Sequence, residues 1–116
     1  MIAATYNIVC DQGATFDRTL TWKDNNGNPV DLTGYTARMQ VRSVVDSSVV
    51  LLSLTTANSR IVLGGVAGTV QLTVDPTVMA AVAGGQYVYD LELVSAGGSV
   101  SRLVMGTFTV RDEVTR

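Results

Sequence analysis

The chain has 116 residues, enough for one folded domain spanning residues 1–116 and too few for two. It has no histidine, a single cysteine (Cys10) and a net charge of −2. This composition excludes histidine-based catalysis, an intramolecular disulfide and a basic surface for nucleic acid. We expect no enzymatic activity, no metal and no cofactor. No apolar run is long enough to cross a bilayer, so we expect no membrane partner either.

The charged fraction is unusually low. Only 16% of the residues are charged and 47% are apolar, whereas about 25% charged is typical of soluble domains. Such a small protein is expected to cover part of its surface with partners or with copies of itself. The alternative is an ordinary apolar core beneath a surface rich in Ser, Thr and Gly.

Apolar residues recur at every second position along most of the chain, which is the pattern of half-buried strands. The pattern predicts strands at 5–10, 15–23, 35–42, 49–55, 60–63, 69–74, 86–94 and 99–110. A turn at 24–28 is predicted to join the second and third of these into a hairpin. The segment 49–55 is apolar at nearly every position, so it is expected to be buried on both faces or covered by a partner. Asp75 and Pro76 predict a short helix at 77–83, and Gly106 is a candidate bulge.

These elements are typical of an all-β protein. They predict a single antiparallel β-sandwich, immunoglobulin-like in size and layout, with seven to eight strands and one short helix.

Two sets of side chains are candidates for a site. Asp90 and Glu92 lie two residues apart on one strand face. A hydrolase would need both in an enclosed pocket, and the alternative is a solvated strand surface. Tyr35, Tyr87 and Tyr89 could form a stacking surface for a glycan if at least two were exposed in one groove, and otherwise they pack in the core.

Two arginines interrupt strand faces that are otherwise apolar. Arg18 shares a face with Phe16, and Arg102 interrupts the predicted inward set of its strand. Each marks a sheet edge, an internal ion pair or a surface that contacts another chain. The candidate interface residues are Arg18, Arg38, Arg42, Val49, Leu51, Asp90, Glu92 and Arg102. We expect the cysteine, Cys10, to be a small buried apolar residue.

Several segments resemble a family of small structural proteins of tailed bacteriophages. The segments are QGATF at 12–16, LTWKD at 20–24, GNPVDLTGYTARMQ at 27–40, YVYDLEL at 87–93 and VTR at 114–116. The chain is also similar, more distantly, to the N-terminal β-sandwich of phage upper-baseplate proteins, which fastens a fibre or receptor-binding assembly to the tail. One departure is Ser59, where the resemblance would place a glycine.

The resemblance implies a non-enzymatic component of the virion, present in several symmetric copies and made in the host bacterial cytoplasm. Its partners would be other virion proteins and copies of itself. Because no fibre shaft follows Arg116 in this sequence, we expect an adaptor at the tail or the fibre attachment point. The alternatives are a capsid decoration protein and a glycan-binding module.

Overall fold

Two β-sheets pack face to face in the computed structural model, which describes residues 4–115. In chain order the strands are β1 (Ala4–Thr5), β2 (Ile8–Asp11), β3 (Phe16–Thr21), β4 (Thr36–Arg42), β5 (Leu52–Thr55), β6 (Ile61–Leu63), β7 (Thr69–Val74), β8 (Gly85–Val94) and β9 (Val100–Arg111). The large sheet has the order β1-β9-β8-β4-β5, with β2 also paired to β9, and the small sheet has the order β3-β7-β6. The predicted all-β sandwich is confirmed.

The core lies between the inner faces of the two sheets. Alternate residues of β4 and β8 are buried, as their period of two predicts. The rings of Phe16 in the small sheet and Phe108 in the large sheet have centroids 5.6 Å apart. Tyr89 packs edge-on against Phe108, and Cys10 is buried as expected. The largest apolar side chains therefore hold the sheets together.

The N-terminal edge of the large sheet runs parallel to its neighbour, unlike the other pairings. Both β1 and β2 pair in parallel with β9 in one continuous register, and the pairing is interrupted between them at Tyr6 and Asn7. A Cβ added to Gly106 would lie 2.6 Å from the Tyr6 carbonyl oxygen. Gly106 is therefore required for a close approach of two backbones, and its prediction as a bulge is wrong.

The bulge lies at Leu103 instead. Leu91 pairs with Val104 whereas Glu92 pairs with Arg102, so Leu103 is the extra residue on β9. Because of this extra residue, the residues of β9 that precede it point to the opposite faces from those that the later alternation predicts. Arg102 therefore lies on the outer face. The prediction that Arg102 interrupts the inward set is therefore wrong.

The predicted hairpin between the second and third strands is also wrong. Strand β3 pairs with β7 in the small sheet, and β4 pairs with β5 and β8 in the large sheet. The turn at 24–28 closes only a single bridge between Lys23 and Pro29. The chain then crosses between sheets while burying Leu32. Because β3 and β4 both alternate over the same core, their periodicity does not show which sheet each one joins.

Two predicted elements are shorter than expected. Strand β5 begins at Leu52, and the preceding residues of the predicted strand belong to the β4–β5 connection. The helix α1 (Pro76–Ala80) begins at the predicted proline, with the Asp75 carbonyl accepting the Val78 and Met79 N–H groups. It ends before the predicted Gly84, and Val82 enters the core beyond it.

Candidate functional site

The outer face of the large sheet carries most of the predicted interface residues. Five of the eight lie there, on three adjacent strands: Arg38, Arg42, Asp90, Glu92 and Arg102. The register aligns them in cross-strand rows, with Glu92 directly between Arg38 and Arg102. The pairing of β4, β8 and β9 thus brings together charges that are far apart in the sequence.

Each carboxylate on this face is paired with an arginine. Arg38 Nε donates to Glu92 Oε1 at 2.8 Å, and Arg102 Nε lies 3.4 Å from Asp90 Oδ2. Arg42 donates to the Gln40 side chain at 2.7 Å and to the Ser47 backbone carbonyl. Both ion pairs are partly exposed, so each contributes under about 1 kcal/mol to stability. Their main effect is to give this face charges of both signs.

An apolar loop adjoins this face. It comprises residues 43–51, between β4 and β5, and five of its aliphatic side chains are exposed: Val44, Val45, Val49, Val50 and Leu51. Val45 is 82% exposed and Val49 is 60% exposed. Arg42 ties the loop back to the sheet through the Ser47 carbonyl. Exposed apolar side chains clustered in this way are typical of interaction surfaces.

The apolar loop and the outer face together line an open groove of about 560 Å³. Its walls include Arg42, Asp90 and Arg102 together with the apolar Val45 and Met105. The charged members were predicted as interface residues from the sequence, whereas Val45 and Met105 were not. Consecutive valines at 44 and 45 were an available signal, but only the sheet register brings Met105 beside Asp90.

Arg18 lies away from this face, at the edge of the sandwich where β2 and β3 meet. Its guanidinium lies over the Phe16 ring, with Arg18 Cζ 5.2 Å from the ring centroid. It donates to the backbone carbonyls of Val9 at 2.8 Å and Asp17 at 3.1 Å. Of the three roles considered for it, the structure places Arg18 at a sheet edge, where it links the two sheets.

The hydrolase hypothesis does not fit this geometry. Asp90 and Glu92 lie on an open sheet face instead of in an enclosed pocket, and each is paired with an arginine. In residues 4–115 no group of three or more metal-ligating side chains lies together.

The tyrosines do not form a stacking surface. Tyr89 is only 5% exposed and its hydroxyl donates to the Tyr6 carbonyl, while the Tyr87 hydroxyl donates to the Ala83 carbonyl. Tyr35 packs edge-on against Trp22. Tyr35 and Tyr87 lie near opposite ends of β8, eight residues apart in register and therefore roughly 26 Å apart at about 3.3 Å per residue. The exposed pair that a glycan site requires is therefore absent among these three.

Cys10 is not poised for chemistry. Burial raises the pKa of its thiol from 9.0 to about 11, so the thiol is protonated at neutral pH. Its Sγ donates to the Thr109 carbonyl at 3.5 Å. No helix in the described part of the chain is long and apolar enough to span a membrane.

Comparison with known proteins adds little to this description. No protein-family model and no curated protein matches the sequence. Among solved structures, the chain is similar to extracellular domains 3–5 of Drosophila OTK, with 15% identity and a TM-score of 0.35. The match covers 98% of this chain and 35% of that structure, so the chain spans about a third of its length. The sandwich assignment therefore rests on the strand order and the core described above.

Proposed function

We propose that the protein is a non-enzymatic structural component of a tailed phage particle, an adaptor at the tail or the fibre attachment point. It acts by docking to other virion proteins and to copies of itself. The resemblance of its sequence segments supports the phage setting, and the absence of histidine supports a role without catalysis. It would be made in the host cytoplasm and reside in the virion.

The observation that carries a docking role is the apolar loop beside a groove of mixed charge. Its five side chains expose roughly the area of three free aliphatic side chains, and burying that area is worth about 5 kcal/mol. The loss of translational and rotational freedom on association opposes this gain by at least about 4 kcal/mol. One such contact is weak by itself, and repetition at fixed spacing in a symmetric particle makes it effective.

The test is site-specific photo-crosslinking in intact particles. A photoreactive amino acid replaces Val45 in the apolar loop, and the matched control carries it at Val66, which is 73% exposed in the 3₁₀ turn 65–67 between β6 and β7. We expect position 45 to crosslink to a tail or baseplate protein and position 66 to give little product. Crosslinking to the major capsid protein would support the decoration alternative.

Two results would refute the proposal. One is the absence of the protein from purified particles of the phage that encodes it. The other is equal crosslinking from positions 45 and 66, which would show that the apolar loop has no special contact.

A further inference from the structure

The turn at 24–28 contains the one Asn-Gly pair of the sequence, Asn26 and Gly27. An asparagine side chain can react with the main-chain nitrogen of the residue that follows it. Glycine obstructs this approach least, because it has no Cβ. A Cβ built on Gly27 would meet no atom within 4 Å, so the space beside this nitrogen is open.

The carboxamide of Asn26 is free to move. Within residues 4–115 the Asn26 side chain makes no hydrogen bond, and its backbone N–H donates to Asp24 Oδ1 at 2.9 Å. All the residues from 23 to 29 are exposed, so no packed neighbour fixes the side chain. Its Cγ can therefore rotate towards the nitrogen of Gly27.

The two asparagines outside the turn are held in place. Asn58 Oδ1 accepts the Thr55 N–H at 2.9 Å, and the Asn58 amide donates to a backbone carbonyl at 3.1 Å. Asn7 Oδ1 accepts the Thr107 N–H at 3.1 Å. Asn7 is also followed by Ile8, whose branched side chain covers the nitrogen that would attack.

The two other asparagines of the turn are blocked by the residues that follow them. Asn28 precedes Pro29, which has no N–H. Asn25 precedes Asn26, whose Cβ lies beside the attacking nitrogen and whose N–H is bound to Asp24 Oδ1. Asn26 alone combines a free carboxamide with an unobstructed nitrogen.

We infer that Asn26 is a site of spontaneous deamidation. The Gly27 nitrogen attacks Asn26 Cγ and forms a bond to it, while the bond from Cγ to Nδ2 breaks. Nδ2 leaves as ammonia with the proton of the Gly27 N–H. Water then opens the cyclic imide at either carbonyl carbon and leaves aspartate or isoaspartate at position 26. No electrons are exchanged, and water is the only co-reactant.

Asp24 controls the rate of this reaction. The Gly27 N–H donates to the Asp24 carbonyl at 3.0 Å, and Asp24 Oδ1 accepts the N–H groups of Asn26 and Asn28 at 2.9 and 3.0 Å. The Gly27 nitrogen must leave its carbonyl partner before it reaches Cγ, so the turn must open. The opening is local, because residues 23–29 are all exposed.

The product differs from the parent in charge and in backbone. Either acid adds one negative charge to a net charge of −2, two residues from the Asp24 carboxylate. Isoaspartate also adds a methylene to the main chain, which displaces N–H groups that Asp24 Oδ1 accepts. The turn lies outside the groove of the proposed docking surface, so the reaction is independent of the proposed function.

The test follows each asparagine by mass spectrometry while the purified chain is incubated in heavy-oxygen water. The water that opens the imide labels the new carboxylate. Trypsin cleaves after Lys23 and Arg38, so one peptide carries all three asparagines of the turn and its fragments assign the label. We expect the acid to form at position 26 at least about tenfold faster than at any other asparagine, because only Asn26 is followed by glycine.

Two glycine variants separate the steric effect from backbone strain. Gly27→Ala places a Cβ beside the attacking nitrogen and strains a φ of 82°. Gly98→Ala strains a φ of 90° in the β8–β9 turn and leaves Asn26 and its neighbours unchanged. We expect the rate at position 26 to fall at least about fivefold in Gly27→Ala and to stay the same in Gly98→Ala.

Two aspartate variants test the control by Asp24. Asp24→Ala removes the carboxylate that accepts two N–H groups of the turn. The matched control is Asp31→Ala, because Asp31 Oδ1 likewise accepts the Thr33 N–H and hydroxyl just beyond the turn. We expect the rate at position 26 to rise at least about threefold in Asp24→Ala, since each hydrogen bond lost raises the open fraction, and not to rise in Asp31→Ala.

Three results would overturn the assignment of Asn26. The first is conversion in the urea-unfolded chain with none in the folded chain, since the turn would then protect the pair. The second is equal conversion of another asparagine, and the third is an equal rate in Gly27→Ala and the wild type. An unchanged rate in Asp24→Ala would overturn the control by Asp24. Circular dichroism checks each variant, and the wild-type comparison among the five asparagines stays decisive if a variant does not fold.

Discussion

Replacing Gly106 by alanine tests the close approach of two backbones at one edge of the large sheet. The new Cβ would lie 2.6 Å from the Tyr6 carbonyl oxygen and 2.7 Å from Asn7 Oδ1. The Tyr6 oxygen belongs to the backbone, so it cannot move away by rotating a side chain. The segment at Tyr6 and Asn7 must therefore shift away from β9.

The shift strains the three hydrogen bonds that hold the segment at Tyr6 and Asn7. The Tyr6 N–H donates to the Met105 carbonyl at 2.9 Å, the Thr107 N–H donates to Asn7 Oδ1 at 3.1 Å, and the Tyr89 hydroxyl donates to the Tyr6 carbonyl. Overpacking costs about 1–3 kcal/mol, and each lost hydrogen bond costs about 1 kcal/mol. Since relaxation retains some of these bonds, we expect Gly106→Ala to lower the free energy of unfolding by about 3 kcal/mol.

The assay is urea denaturation followed by tryptophan fluorescence. The matched control is Gly97→Ala, where the nearest atom to the new Cβ is Ser95 Oγ at 4.0 Å. We expect the control to stay within about 0.5 kcal/mol of the wild type. Because Tyr89→Phe already removes one of the strained bonds, Gly106→Ala should cost less in that background. Equal stabilities of Gly106→Ala and Gly97→Ala would refute the close approach.

Three other predictions concern single groups. Ser59 has φ of 65°, so Ser59→Gly should raise the melting temperature by relieving about 1 kcal/mol of backbone strain, and Ser59→Ala should not. The Cys10 thiol has its pKa raised from 9.0 to about 11, so the unfolded chain releases this proton first. The free energy of unfolding should therefore be unaffected below pH 9 and fall by about 2 kcal/mol between pH 9 and 11. The urea midpoint of the wild type should show this fall, and the urea midpoint of Cys10→Ala should not. The Arg38–Glu92 pair is partly exposed, so a double-mutant cycle with alanine should give a coupling below about 1 kcal/mol, and a value above 2 kcal/mol would contradict its assignment as a surface pair.

The candidate site could be predicted only in part. The alternation of β4 and β8 was enough to place Arg38, Asp90 and Glu92 on outward faces, because side-chain direction along a strand depends only on the period of two. The same reasoning placed Arg102 inward, since a bulge at Leu103 leaves no mark in the periodicity. The apolar loop was not predicted, because its last residues were assigned to a strand at 49–55. A run of aliphatic residues has the same sequence pattern in a strand and in an exposed loop.

The local structure of this protein follows from the pattern of its amino acids. The pattern determines which residues alternate between buried and exposed, and where glycines and the Asp75-Pro76 pair interrupt the strands. It also requires that two apolar faces meet. These features follow from contacts between near neighbours in the chain. Which strands pair, and that β1 and β2 run parallel to β9, depends instead on how the whole chain folds. Those outcomes depend on contacts between residues far apart in sequence, such as Tyr6 with Gly106 and Arg18 with Val9, whose steric and hydrogen-bonding fit no local pattern encodes.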